Sequence, residues 1–433
     1  MKTALVWLRN DLRFEDQESF FKACNGFDRV VAYYAFEPKD FQKTIWGFQK
    51  TGKYRINFLL ETLQALKEEL AQHNISLITE KRSAVEGISS WVESLNVTSL
   101  FFQEEWTREE LLISDAVCAS LSDEVRIETH YDQFLFHPED IPMDIESIPQ
   151  VFTAFRKKCE KYSKVQRCFE KPKPLASSSL LDTKTAIPDL NDFDYSPFET
   201  HSHSAFPFKG GTFSASAHLK DYFWNTKRLS YYKQTRNGLV GTDYSSKFSP
   251  WLANGSLSAR IIYWEVMQYE KEIDKNQSTY WLIFELIWRD YFKYISLKHG
   301  NSIFQLGGIL EKEYSWNSNK EVFRKWVEGK TNEPFVNANM IELKKTGFMS
   351  NRGRQNVASF FAKNIIMDWR MGAAYFEKQL IDYDVHSNWG NWMYVAGVGN
   401  DPRDRKFNVK MQVERYDPKG QYQKLWLQNN LFE

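Results

Sequence analysis

Ala4-Leu5-Val6-Trp7-Leu8 is the first of five short apolar runs that set the fold of this chain; the others are Val30 to Phe36, Ile75 to Thr79, Ser99 to Phe102 and Val125 to Ile127. Helical patterns alternate with them, which is the rhythm of a parallel sheet with helical crossovers. Between the second and third runs, Tyr54 to His73 places Phe58, Leu59, Leu63, Leu66 and Leu70 at three- and four-residue spacing, the mark of an amphipathic helix. Residues 1–130 are therefore expected to form an α/β domain on a five-stranded, parallel, doubly wound sheet.

At 433 residues the chain exceeds what one core usually serves, so further domains are expected. Residues 131–211 read as a connector. It is most irregular from Lys171 to Gly211, with five prolines (Pro172, Pro174, Pro188, Pro197, Pro207) and a Ser177-Ser178-Ser179 run. Beyond Gly211 helical periodicity takes over, and residues 212–433 are expected to be an all-α domain.

The 56 basic and 56 acidic residues cancel, so no global field draws the protein to nucleic acid, and any such contact must come from a local patch. Aromatics make up 16% of the chain, which suits either a large aromatic core or a site for flat ring systems. Cys24, Cys118, Cys159 and Cys168 are scattered without a CxxC pair, against structural zinc and against a disulfide scaffold. The apolar run before Arg9 is too short for a signal peptide or a membrane span, and a soluble, cytoplasmic protein is expected.

Gly47 to Tyr54 matches a phosphate-binding loop except at its last position. A polar stretch precedes it, and Tyr54 stands where Ser or Thr would hold magnesium, so it is set aside. The hydroxyl-rich turn from Gly241 to Trp251, ahead of a helical pattern over Leu257 to Met267, suits either a diphosphate or an ordinary capped turn. The helix expected over Ser278 to Lys298 carries Trp281, Glu285, Trp288, Arg289 and Phe292 on one face, and a plain core stripe would hold neither Glu285 nor Arg289 unless they paired with each other. Asn351, Arg354, Gln355 and Ala358 share a second face, polar where a buried helix should be apolar. The segment Asp382 to Trp392 gathers carboxylates, amides and indoles that suit the edge of a hydrogen-bonding heterocycle, with metal binding by Asp382, Asp384 and His386 as the competing chemistry.

These segments, in this order and spacing, resemble those of photolyases and cryptochromes. The opening Trp7-Leu8-Arg9-Asn10-Asp11-Leu12-Arg13 looks like the family signature, although Gln17 replaces the Asn of many members. Phe284 before Glu285, the Asn351-Arg352-Gly353-Arg354-Gln355 run, and Tyr416-Asp417-Pro418 followed by Gln421-Tyr422 resemble the DASH branch.

The resemblance implies a light-driven flavoprotein with noncovalent FAD that binds DNA and repairs cyclobutane pyrimidine dimers; its alternative is a photosensory cryptochrome. It implies that Tyr232 and the turn Ser245, Ser246, Lys247, Phe248 and Ser249 hold the phosphates and ribitol. Asp384 would take the flavin N3 hydrogen, Asn388 would face N5, and Arg354 with Asp382 would lie over the ring, with Glu285, Arg289 and Asn351 completing the cofactor set. Glu285, Trp288 and Asn351 would face the lesion, and Trp392, Trp369 and Trp316 would form an electron-carrying chain. DNA contacts would come from Arg236, Trp288, Arg352, Gln355, Tyr394 and Arg403, with Arg405 and Lys406 nearby. An antenna pigment, methenyltetrahydrofolate in most of the branch, would lie near Glu104 or Glu105. No metal is implied. Tyr394 stands where duplex-active relatives have Trp and Gln355 where they often have Met, so single-stranded or looped DNA is the expected partner.

Overall fold

The computed structural model describes residues 2–182, 186–401 and 403–428. The connector expected over 131–211 and the helical region expected over 212–433 therefore include 183–185, 402 and 429–433, which lie outside the described residues.

The strands are β1 (Thr3–Trp7), β2 (Arg29–Ala35), β3 (Ser76–Glu80), β4 (Val97–Gln103) and β5 (Arg126–His130), all parallel in the order β3-β2-β1-β4-β5. Central β1 is buried throughout, pairing Leu5 with Val31 on one side and with Leu100 on the other. Its alternate side chains feed two cores. Ala4 and Val6 join Leu63 and Leu66, while Leu5 and Trp7 join Ile88 and Val117. The crossover helices are α1 (Glu18–Gly26), α2 (Lys53–Ala71), α3 (Ala84–Leu95) and α4 (Arg108–Ser120). Gln17, the departure from the family signature, caps α1 through its side-chain oxygen and donates to Asp11 Oδ2 at 2.8 Å. The amide of Gly52, at the start of α2, donates to the Lys378 carbonyl at 2.9 Å and so holds the chain rather than a phosphate.

Helix α5 (Phe152–Tyr162) follows in the expected connector. Then come α6 (Thr212–Lys220), α7 (Tyr232–Thr235), α8 (Ser249–Ala253), α9 (Ala259–Glu272), α10 (Gln277–His299), α11 (Lys320–Val327), α12 (Pro334–Thr346), α13 (Asn351–Ser359), α14 (Trp369–Gln379), α15 (Val385–Ala396), α16 (Val409–Tyr416) and α17 (Gln421–Leu427). The centre is α10, opened by a capping box between Asn276 and Thr279 and packed on α5, α7, α9 and α15.

The connector divides into two physical parts. Residues 131–162 enter the helical core: buried Asp290 of α10 accepts from the Leu135 and Phe136 amides, and Phe134, Phe152 and Phe155 pack beside Tyr291 and Tyr294. Residues 175–182 and 186–198 run back over the α/β domain, where Leu190 and Phe193 complete one sheet core and the Leu175 amide bonds to the His73 carbonyl, before Ala205 and Phe206 rejoin the helical core. A buried latch joins the domains, with Arg260 of α9 placing one nitrogen 2.8 Å from both Asp16 and Asp132. Among the described residues no helix is long and apolar enough to cross a membrane.

Candidate functional site

The hydroxyl-rich turn reaches short α8, while the longer helix expected behind it, α9, starts at Ala259 with its own Ser258 cap. In the turn Lys247 has φ of +56° and Phe248 is right-handed, so successive N–H groups point to one side as an anion-binding concavity. Lys247 Nζ is buried without a hydrogen-bond acceptor and rests 3.1 Å from the Tyr244 ring centroid. Burial pushes its pKa well down, against the pull of Glu342. A diphosphate would supply the missing anion.

Across a cavity of about 410 Å³ stand α10, α13 and the start of α15. Tyr232, Ser245 to Ser249, Glu285, Trp288, Arg289, Asn351, Arg354, Gln355, Asp382, Asp384 and Tyr394 all line it. A cleft of about 80 Å³ adds Asn388 and Trp392 and shares Asn351, Arg354, Asp382 and Asp384 with the larger space. Arg354 shares one nitrogen, Nη2, between the two carboxylate oxygens of Asp382, 2.9 Å from each, and its Nε donates to the Met349 carbonyl.

Asp384 caps α15, accepting from the Ser387 amide at 2.7 Å, and its second oxygen takes Lys293 Nζ at 3.1 Å. Burial alone would raise its pKa, but Lys293 and Arg289 outweigh burial and hold the carboxyl well below its ordinary range. Asp384 thus stays an anion with lone pairs to spare for an N–H donor. Asn388 donates one amide hydrogen to the Ala373 carbonyl at 3.0 Å, which anchors the side chain through its nitrogen.

The ion pair considered between Glu285 and Arg289 does not form. Glu285 pairs with Arg236, and Arg289 donates to the carbonyls of Gln133 and Leu252. Desolvation raises the Glu285 pKa, with Arg236 opposing. Metal binding at Asp382, Asp384 and His386 also finds no support: His386 Nδ1 lies 2.6 Å from Ser296 Oγ, its ring stacks on Trp106, and no group of three or more metal-ligating side chains occurs among the described residues.

The family described as DNA photolyase matches residues 4–176, and the FAD binding domain of DNA photolyase matches residues 281–430. A Cryptochrome DASH of Gloeobacter violaceus is 46% identical over 428 residues, 98% of this chain and 85% of that protein. Another, of Xenopus laevis, is 46% identical over 436 residues, 98% of this chain and 82% of its own. This chain belongs to the photolyase/cryptochrome family, in its DASH branch. The cryptochrome structure of Synechocystis sp. PCC6803 superposes with a TM-score of 0.95 at 45% identity, covering 99% of this chain and 89% of that one. A class III photolyase of Agrobacterium tumefaciens shares the fold, with a TM-score of 0.84 at 23% identity, covering 98% and 86%. The helical domain of this DASH protein is an FAD-binding domain, and the free anion concavity, the orphaned Lys247 and the Asp384 acceptor fit that cofactor.

Trp392, Trp369 and Trp316, the residues expected to carry electrons, are all placed around α14. Buried Trp392 lies edge-on to Phe376, with Gly372 against its indole; Trp369 is one turn away on the same helix, and its Nε1 donates to the Leu306 carbonyl. The Trp316 segment meets that helix's entrance, where Asn317 pairs with Met367.

Between the two domains lies a second cavity, of about 580 Å³, sharing Leu252, Ala253, Arg289 and Asp384 with the first as a common wall. Glu105 lines it, buried and bonded by Asn10 and Gln103, whereas Glu104 is not among its lining residues. Gln103 and Gln133 line it with buried amide oxygens that have no partner. Gln133, Lys293 and Phe152 went unremarked in the sequence. A Gln and a Lys without local patterning give no signal, and Phe152 reads as one apolar residue of a connector.

Of the DNA-binding candidates, Arg352 donates to Gln355 Oε1 at 2.8 Å and to Asn237, and stacks on Tyr416. Tyr394 stands edge-on to Trp288 at 6.2 Å, and Arg403 is exposed.

Proposed function

We propose that this protein is a blue-light DNA repair enzyme that reverses cyclobutane pyrimidine dimers, preferring single-stranded or looped DNA. The observation that supports it is one cavity shared by two residue sets. Asp382, Asp384, Arg354 and the 245–249 turn serve the cofactor, while Glu285, Trp288, Asn351, Gln355 and Tyr394 form the part that would take a flipped pyrimidine dimer. Bound FAD supplies light absorption and one-electron chemistry. The chain's own residues provide placement and polarity. Trp288 offers a ring to stack on, Glu285 a carboxyl whose raised pKa suits hydrogen bonding to a dimer carbonyl, and the Arg354–Asp382 pair a cation held over the ring site.

The pocket wall supports a single-strand preference. Extracting a dimer from duplex costs a few kcal/mol of stacking and pairing, and the phenol of Tyr394 covers less of a lesion than an indole would. In the interdomain cavity Glu105 and the free oxygens of Gln103 and Gln133 suit the amino groups of a pterin, and methenyltetrahydrofolate is the antenna we assign there. Trp392, Trp369 and Trp316 carry electrons inward from the surface, and the protein works in the cytoplasm.

The test is illumination of the reduced protein with a dimer-containing oligonucleotide, single- and double-stranded in parallel. Faster repair of the single strand is expected. Equal repair of both would remove the preference, and repair of neither would favour a photosensory role. Trp392→Phe should keep its FAD and photoreduce slowly while the chemically reduced variant still repairs; photoreduction at the wild-type rate would make Trp392 a packing residue.

A further inference from the structure

Trp288 is backed by a ring from the connector. Phe152, the first residue of α5, lies parallel to it with centroids 3.6 Å apart and 12° between planes. Phe152 is itself boxed in, edge-on to Phe284 at 5.2 Å and to Tyr291 at 5.5 Å. The turn before it is fastened from two elements: the Tyr291 hydroxyl of α10 donates to the Gln150 carbonyl, and Asn400, beyond α15, donates to that carbonyl and to the Tyr291 oxygen, each at 3.0 Å. One face of the indole is therefore covered by a rigid ring, while Trp288 still lines the cavity.

We propose that Phe152 is a positioning residue for the substrate. It fixes the plane of Trp288 so that the open face meets the outer face of one of the two linked pyrimidine rings of a dimer, and it thereby sets discrimination between damaged and undamaged DNA. The inference rests on the reading of this cavity as the lesion pocket. A parallel backing ring removes the freedom of an indole hinged on one helix, so stacking on its free face costs less ordering. Phosphate contacts outside the pocket do not depend on that plane, so affinity for undamaged strand should be indifferent to Phe152.

The experiment compares the dissociation constants of FAD-loaded protein for one short single strand with and without a single thymine dimer. Phe152→Met, similar in bulk but not planar, should weaken dimer binding about tenfold with undamaged binding and FAD content unchanged. Phe152→Tyr, which keeps the ring, should restore most of the preference. In a Trp288→Leu background Phe152→Met should add no further loss, since its action runs through that indole. Unchanged dimer affinity, equal losses on both strands, or a full additional loss beside Trp288→Leu would overturn the proposal. Should Phe152→Met not retain FAD, Phe152→Leu carries the same comparison. A wild-type protein with no preference for the damaged strand would instead remove the lesion-pocket reading, and the role of Phe152 with it.

Discussion

The buried ionisable residues show how the site tunes charge one side chain at a time. Lys293 and Asp384 are 4% and 12% exposed at their side chains, so each is the other's main compensation for leaving water. Asp384→Asn would leave the ammonium buried without its anion. It should cost about 3 kcal/mol in denaturant unfolding, by the usual penalty for breaking one side of a buried pair, and lower the FAD released per chain. Unaltered stability would mean that Lys293 finds another anion. Glu342 presents the opposite case. It is buried, with Tyr422 donating to it at 2.5 Å, and desolvation raises its pKa to about 7 despite that bond and the nearby Lys247 and Arg354. Between its unfolded value of about 4.5 and about 7 the folded state binds more protons, so this contribution is complete below the lower value and is lost as pH rises through the upper one. Glu342→Gln should therefore flatten the decline in stability between about pH 4.5 and 7 by up to about 3 kcal/mol, measured as unfolding midpoints across that range.

Strands and helices were the most legible level of the sequence, because their signal is local. The run Ala4 to Leu8 became β1 at Thr3–Trp7, and the helix expected over Ser278 to Lys298 became α10 at Gln277–His299. Less legible was what each element touches. Nothing local in 131–162 says that Phe134 and Phe152 belong to the helical core, since their partners Tyr294 and Trp288 lie far along the chain. For the same reason the Glu285–Arg289 spacing suggested a pair that the fold replaces with Arg236, a residue from the preceding α7 region. The α14–α15 contact offers a test at this scale. A Cβ on Gly372 would lie 2.2 Å from Trp392 Cη2, and Trp392 is closed in by Phe361, Phe376 and Trp326. Gly372→Ala should therefore destabilise by about 1 to 3 kcal/mol as overpacking. It should also alter the photoreduction rate with FAD still bound, and a variant with wild-type unfolding midpoint and rate would show that the indole can move aside.

Considered as a whole, the molecule must find nucleic acid with 56 positive charges set against 56 negative ones. Affinity then depends on the cations near the cavity that are not already used, and the structure has committed most of them. Arg236 is paired with Glu285, Arg352 is spent on Gln355, Asn237 and the Tyr416 ring, and Arg405 lies 3.2 Å from Asp401. Arg403 and Lys406 remain exposed, with Arg403 only at the 4.0 Å limit from Asp401. Each phosphate neutralised on a single strand contributes about 0.7 to the slope of log affinity against log salt, so these two cations predict a shallow slope of roughly 1.4. With so shallow a slope, the proposed preference for single strands would have the pocket supply the specificity, since a lesion in a single strand is the least costly to extract. Arg403→Ala should weaken binding to damaged and undamaged strands equally and reduce the slope by about 0.7, measured by anisotropy titrations at several salt concentrations. A steep wild-type slope, of roughly 5 or more, would mean that the committed arginines release their partners on binding, and the Glu285–Arg236 pair would then be the first to examine in the DNA complex.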